Sequence, residues 1–317
     1  MNIALLEPLS VPDKTVAELS APLVEAGHNF KAFPTRTTDP DELRERAQGA
    51  DIVIIANTPF PAGVVEALPK LKLVDVAFTG VDLVDIAACR AQGVTVCNCA
   101  GYSDTAVAEL VMGLTVDMLR RVPSGQRAVR DGGTSEGLMG TEIAGKTVGI
   151  VGTGHIGTRV AALFSAFGAT VLGYARHPNP DCMKLGVSYR GLDALLAESD
   201  IVSVHLPLTE ATRGFIDAEK IAAMKKGAVL VNCARGPIVD ARALADALVS
   251  GHLGGAAVDV FDREPPLGPD DPLLSAPRTV LTPHVGYYTA EAMERRAKIA
   301  FANVAAFCEG NPQNVVA

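Results

Sequence analysis

The chain has 317 residues, enough for about two domains of ordinary size. Hydrophobic residues make up 48%, ample for real cores. The net charge of −8 and pI near 5.3 argue against nucleic acid or an anionic membrane as the main partner, because both call for a basic surface. No apolar run approaches the roughly 20 residues that span a bilayer. Met1–Pro8 lacks the basic region and long apolar core of a secretion signal, so a cytoplasmic protein is expected.

Strand-like runs come first at Ile3–Leu6, Asn29–Phe33, Ile52–Ala56, Leu73–Ala77 and Val94–Cys97. Helical periodicity separates them at Val16–Ala26, Pro40–Gln48, Ala62–Leu68 and Val84–Gln92. A long amphipathic helix over Asp104–Arg121 follows, then a polar, glycine-rich surface connection at Arg130–Gly137. A second set of strands runs Thr147–Val151, Thr170–Tyr174, Ile201–His205, Ala228–Val231, Ala256–Val260 and Thr279–Leu281. The last helix, Ala290–Phe307, is long enough to pack back onto the first domain. Strands alternating with helices predict an α/β protein built from two doubly wound parallel sheets.

Gly152-Thr-Gly154-His155-Ile156-Gly157 closes one strand and opens a helix, the context in which such a loop binds a dinucleotide. Gly152 permits the tight turn, Gly154 lets a pyrophosphate approach the backbone, and Gly157 lets helix and strand pack closely. The helix N-terminus then offers free N–H groups to the phosphates. About 20 residues on, an acid is expected to bind the ribose hydroxyls of NAD. That position is Ala175, followed by Arg176 and His177. A missing carboxylate plus a new cation favours NADP(H) over NAD(H), with Arg176 on the 2′-phosphate and His177 assisting.

Three polar residues each follow a strand-like run of the second set: Arg235, Glu264 and His284. Parallel strands gather such ends at one edge, where ligands bind. Arg grips a carboxylate through two parallel hydrogen bonds, His hands a proton to a ketone oxygen, and a Glu beside it keeps the ring oriented. Reduction of a 2-keto acid needs that combination. Each residue alone also has an ordinary reading, as a surface charge, a loop carboxylate or a structural imidazole. Six cysteines in so long a chain do not form a disulfide framework, and no metal site is expected. Cys233, next to the arginine segment, is read as a packing thiol that could line the site.

The chain strongly resembles the D-isomer-specific 2-hydroxyacid dehydrogenases. The carriers are Thr79-Gly-Val-Asp82, the Gly152–Gly157 loop, His205-Leu-Pro-Leu-Thr209, Arg235-Gly236, Glu264-Pro265 and Pro283-His-Val-Gly286, in this order. The resemblance implies a substrate domain at 1–100 plus 286–317, with a Rossmann cofactor domain at 101–285 inserted into it. It implies a flavodoxin-like fold for the former, a cleft that closes on substrate and nicotinamide, and a homodimer formed through the cofactor domains. It makes His284 the acid/base, Glu264 its partner and Arg235 the substrate-binding cation. Backbone N–H groups of Thr79, Gly80 and Val81 would bind the substrate carboxylate, and Tyr102 matches a position that contacts substrate in some members. His155 and Ile156 would lie over the pyrophosphate. Leu206, Pro207 and Thr212 would flank the adenosine side, and Cys233, Ala234 and Asp259 the nicotinamide end. Two tyrosines follow Gly286 where smaller residues are expected, which argues against a bulky substrate.

The leading expectation is therefore a 2-keto acid reductase, with glyoxylate and hydroxypyruvate as plausible substrates. The alternatives are a 3-phosphoglycerate dehydrogenase lacking a regulatory domain and a non-catalytic NAD(P)-sensing interaction protein. Formate dehydrogenase is disfavoured, because Glu264 rather than Gln stands where the histidine's partner is expected.

Overall fold

A computed structural model describes residues 1–317, which divide into two compact units. One comprises Met1–Ser103 and Tyr288–Ala317, the other Asp104–Tyr287. The first unit carries strands β1 (Asn2–Leu5), β2 (Asn29–Ala32), β3 (Ile52–Ile55), β4 (Leu73–Val76) and β5 (Thr95–Asn98). Helices α1 (Asp13–Glu25), α2 (Pro40–Ala47), α3 (Ala62–Glu66) and α4 (Ile86–Ala91) connect them. All neighbouring strands are parallel, in the order β2-β1-β3-β4-β5. That is the flavodoxin-like doubly wound order. Every residue of β3 and β4 is buried, as expected for strands covered by helices on both faces.

The second unit begins with α5 (Asp104–Arg120) and α6 (Val122–Arg130). Its strands are β6 (Thr147–Val151), β7 (Thr170–Tyr174), β8 (Ser188–Tyr189), β9 (Ile201–Val204), β10 (Val229–Asn232), β11 (Gly255–Val258) and β12 (Thr279–Leu281). Between them lie α7 (His155–Ala166), α8 (Pro180–Lys184), α9 (Leu192–Glu198), α10 (Ala218–Ala223), α11 (Ala241–Val249) and α12 (Pro272–Ser275). The parallel sheet runs β12-β11-β10-β9-β6-β7-β8, the Rossmann order with a seventh strand. The order reverses between β6 and β9, so a crevice opens beyond their carboxyl ends. One core cluster includes Val204, Leu230, Leu244 and Leu248; another joins α5 and α7 to the sheet through Val111, Val160 and Phe164.

The final helix, α13 (Ala290–Cys308), belongs to the first unit and packs on α1 and β4. Asn303 Nδ2 donates to Asp75 Oδ1 of β4 at 2.8 Å and to the Asn98 carbonyl at 2.9 Å. Burial pushes the Asp75 carboxyl up to about 8.

Several elements differ from the sequence expectation. Strands expected at Val94–Cys97 and Ala228–Val231 lie one residue later, and the one expected at Ala256–Val260 ends at Val258. There the backbone leaves the ladder as it turns into the site loops. α6 has no counterpart in the sequence reading. It buries no residue and contains Pro123, Ser124 and Gly125, so neither a core-directed apolar stripe nor propensity marks it.

Candidate active site

Three loops leave the carboxyl ends of β10, β11 and β12, which lie side by side in register: Asn232 opposite Val258, and Val258 opposite Leu281. His284, beyond β12, has φ 55°, a conformation uncommon for any residue but glycine. Asp259, one residue past β11, holds this loop. Its carboxylate accepts from Thr282 Oγ1 at 2.5 Å, from the Val285 N–H at 2.9 Å and from the Gly286 N–H at 2.8 Å. A Cβ on Gly286 would stand 2.9 Å from Asp259 Oδ2, so only glycine allows this approach without a shift. Asp259 is 1% exposed, and burial raises its pKa against the lowering effect of those donors.

The loop so fixed brings His284 Nδ1 to 3.1 Å from Glu264 Oε1. Nδ1–H donated to the carboxylate leaves Nε2 for proton transfer. Both side chains remain partly exposed, and the Tyr287 ring meets the imidazole edge-on at 5.4 Å. Arg235 follows β10 on the neighbouring strand end, in an extended conformation. Asn232 fixes its backbone: Nδ2 donates to the Arg235 carbonyl at 3.0 Å, and Oδ1 accepts the Ala234 N–H at 3.1 Å. A Cβ on Gly236 would fall 2.0 Å from the Phe261 carbonyl carbon, so glycine is what lets the β10 and β11 loops close against each other. The sequence-nominated trio thus sits on three adjacent strand ends, two members in direct contact.

The glycine loop follows β6. Gly152 has φ 101°, donates its N–H to the Tyr174 carbonyl at 2.8 Å, and leaves no room for a Cβ, which would meet the His205 carbonyl at 2.6 Å. Gly157 is tighter still: its Cβ would lie 2.0 Å from the Gly152 carbonyl oxygen. Gly154 is the N-cap of α7, makes no side-chain cap hydrogen bond and faces open space. The first-turn N–H groups, His155, Ile156 and Gly157 among them, therefore meet an open approach, which fits a dinucleotide's phosphates. His155 Nδ1 stands 3.6 Å from Asp104 Oδ2. Arg176 and His177 are exposed just beyond β7, with Ala175 half-buried before them.

Across the reversal point, Leu206 and Pro207 follow β9. The Thr212 hydroxyl closes this loop on itself, donating to the Pro207 carbonyl at 2.6 Å and accepting the Thr209 N–H at 2.7 Å. His205 Nε2 lies 2.8 Å from Ser203 Oγ, and burial pushes its imidazole down to about 4, so it is neutral near pH 7. Cys233 is buried, with a pKa raised by burial and then by the Asp259 charge; it is no ready nucleophile.

Residues 112–286 match the family described as D-isomer specific 2-hydroxyacid dehydrogenase, NAD binding domain. The glycerate dehydrogenase of Methylorubrum extorquens is 38% identical over 314 residues, covering 96% of this chain and 95% of that protein. The chain belongs to the D-isomer-specific 2-hydroxyacid dehydrogenase family. As a member of this dehydrogenase family it is an oxidoreductase acting on CH–OH donors with a nicotinamide cofactor. The D-3-phosphoglycerate dehydrogenase of Mycobacterium tuberculosis is 40% identical over 292 residues, covering 90% of this chain but 55% of that protein. Among solved structures, an acyclic imino acid reductase in complex with NADPH and D-Arg superposes with TM-score 0.90 at 26% identity, covering 100% of both chains.

In the first unit of this dehydrogenase, Thr79, Gly80 and Val81 form the turn after β4. Asn98 Nδ2 donates to the Thr79 carbonyl at 2.7 Å. Because a trans peptide points its C=O and N–H oppositely, this turns the Gly80 N–H away from Asn98. Tyr102 is 1% exposed, its ring edge-on to Phe78 at 5.7 Å and near the Arg296 guanidinium, a packed position. Asn98, Asn232 and Thr282 were missed by sequence reasoning. Asn232 bonds groups two and three residues on, a local Asx-type pattern that the sequence does carry, whereas Asn98 and Thr282 reach partners 19 and 23 positions away.

Proposed function

We propose that this protein is an NADP(H)-preferring reductase of small 2-keto acids, equivalently a D-2-hydroxyacid dehydrogenase. The observation that carries the reading is the 3.1 Å pair of His284 Nδ1 and Glu264 Oε1, with Arg235 on the adjoining strand end. A bound nicotinamide supplies the hydride. Arg235 holds the substrate's carboxylate and keto oxygen through its planar fork. His284, protonated, delivers its Nε2 proton to the oxygen as charge develops there, and Glu264 keeps the ring aligned throughout. In the reverse direction His284 is the base. The amides of Thr79, Gly80 and Val81 take the substrate carboxylate, and Tyr102, nominated as a substrate contact, packs on Phe78 next to that turn.

The first unit serves as substrate domain and the second as cofactor domain. His155, Ile156 and the three loop glycines hold the pyrophosphate. Arg176 reads the 2′-phosphate, with His177 beside it and Ala175 in place of an acid. Leu206, Pro207 and Thr212 flank the adenosine side; Cys233, Ala234 and Asp259 border the nicotinamide. The protein acts as a homodimer through the cofactor unit. Six free thiols support a cytoplasmic setting.

Absorbance at 340 nm with NADPH or NADH and a keto-acid panel tests the reading. Glyoxylate and hydroxypyruvate should be turned over, faster with NADPH. His284→Ala should lower kcat by about 10²–10⁴ while cofactor affinity is kept. Turnover confined to 3-phosphohydroxypyruvate would favour a phosphoglycerate dehydrogenase. Tight cofactor binding with no turnover of any keto acid would favour a sensor.

A further inference from the structure

Arg176 and His177 stand on the short segment Ala175–Pro178, between β7 and α8. Both ends of this segment are tied to the glycine loop. At the near end, the Tyr174 carbonyl accepts the Gly152 N–H at 2.8 Å. At the far end, Asn179 Nδ2 donates to the Thr153 carbonyl at 2.8 Å and to Thr158 Oγ1 at 3.1 Å. The Tyr189 hydroxyl completes the closure, lying 2.7 Å from Thr153 Oγ1 and accepting the Asn179 N–H at 2.8 Å. Tyr189 comes from β8, the edge strand beside β7. Its ring passes the glycine of β7: a Cβ on Gly173 would meet Tyr189 Cε1 at 3.4 Å and Thr153 Cγ2 at 3.3 Å.

This arrangement matters because one ligand must touch both loops. In a dinucleotide, covalent bonds fix the distance from the pyrophosphate to the adenosine 2′ position. A cation that reads a 2′-phosphate must therefore be held at a set distance from the phosphate-binding amides. An exposed arginine on an untethered loop would lose rotamer and backbone freedom on binding, which lowers affinity. Asn179 and Tyr189 supply the tether.

We infer that Asn179 and Tyr189 are specificity-determining positioning residues, holding Ala175–Pro178 in fixed relation to the glycine loop and so setting the preference for a 2′-phosphorylated adenosine. The inference rests on the reading of Arg176 given above. Two variants test it by fluorescence titration of the full-length protein with NADPH and with NADH, alongside Arg176→Ala. Tyr189→Phe keeps the ring over Gly173 and removes only the hydroxyl. Asn179→Ser keeps a capping oxygen for the Asp181 N–H but cannot reach Thr153.

Each variant should weaken NADPH about tenfold and NADH less than about threefold, so that the ratio of the two dissociation constants falls. A purely structural role would weaken both cofactors equally, and that result overturns the inference. So does an unchanged ratio in both variants while Arg176→Ala collapses it, which leaves the cofactor reading standing. If Arg176→Ala changes neither affinity, or the wild-type protein binds NADH as tightly as NADPH, the cofactor reading fails and takes this inference with it.

Discussion

His284 sits at φ 55°, in a backbone region that costs a side-chain-bearing residue of order 1–3 kcal/mol unless its surroundings impose it. Asp259 imposes it, with three donors from the segment Thr282–Gly286 converging on one carboxylate. Asp259→Asn replaces one acceptor oxygen by an amide that faces existing donors. The loop should loosen, and kcat should fall about 10- to 100-fold with cofactor affinity changed far less. Stopped-flow measurement of both quantities checks this. That Arg235, Glu264 and His284 follow strands of the second sheet was legible in sequence, because residue type and strand-end position are local properties. The anchoring role of Asp259 was not, since its partners lie 23 to 27 positions away.

At the scale of elements, the site is a set of loops spaced by what they cannot contain. Gly236→Ala would drive a methyl into the Phe261 backbone and separate the β10 and β11 loops. A shift of that kind costs about 1–3 kcal/mol or more. We expect a melting temperature lower by several degrees and a turnover loss out of proportion to it. In the first unit, Asp75 ties the sheet to α13 through Asn303 and is neutral up to about pH 8. Its folded pKa exceeds the unfolded value of about 4, so the folded state binds the extra proton between the two. Its contribution to stability is therefore present at low pH and is lost as pH rises towards 8. Relative to Asp75→Asn, the wild-type protein should lose stability between about pH 5 and about pH 8, as read by urea titration at each pH. Most strands were legible as short apolar runs. α6 was not, because its apolar side chains Val122 and Val129 face outward and make no core-directed stripe.

For the whole molecule, those same side chains matter again. Val122 is 44% exposed, Val129 77% and, just beyond, Met139 87%. Exposed apolar residues grouped on and after one helix suit a self-complementary interface. Sedimentation should give twice the 33.0 kDa chain mass, and Val129→Glu with Met139→Glu should shift it towards the monomer. The sequence by itself determined the α/β class, the glycine loop and the cationic end of β7, and it nominated Arg235, Glu264 and His284. Those follow from residue type, period and short spacing. Only the tertiary structure decided which strand ends are neighbours, that Asp259 holds the histidine's loop, and that Tyr189 and Asn179 bind Ala175–Pro178 to the glycine loop. Such contacts depend on strand order, fixed where the winding of the sheet reverses, and no window of sequence contains both partners.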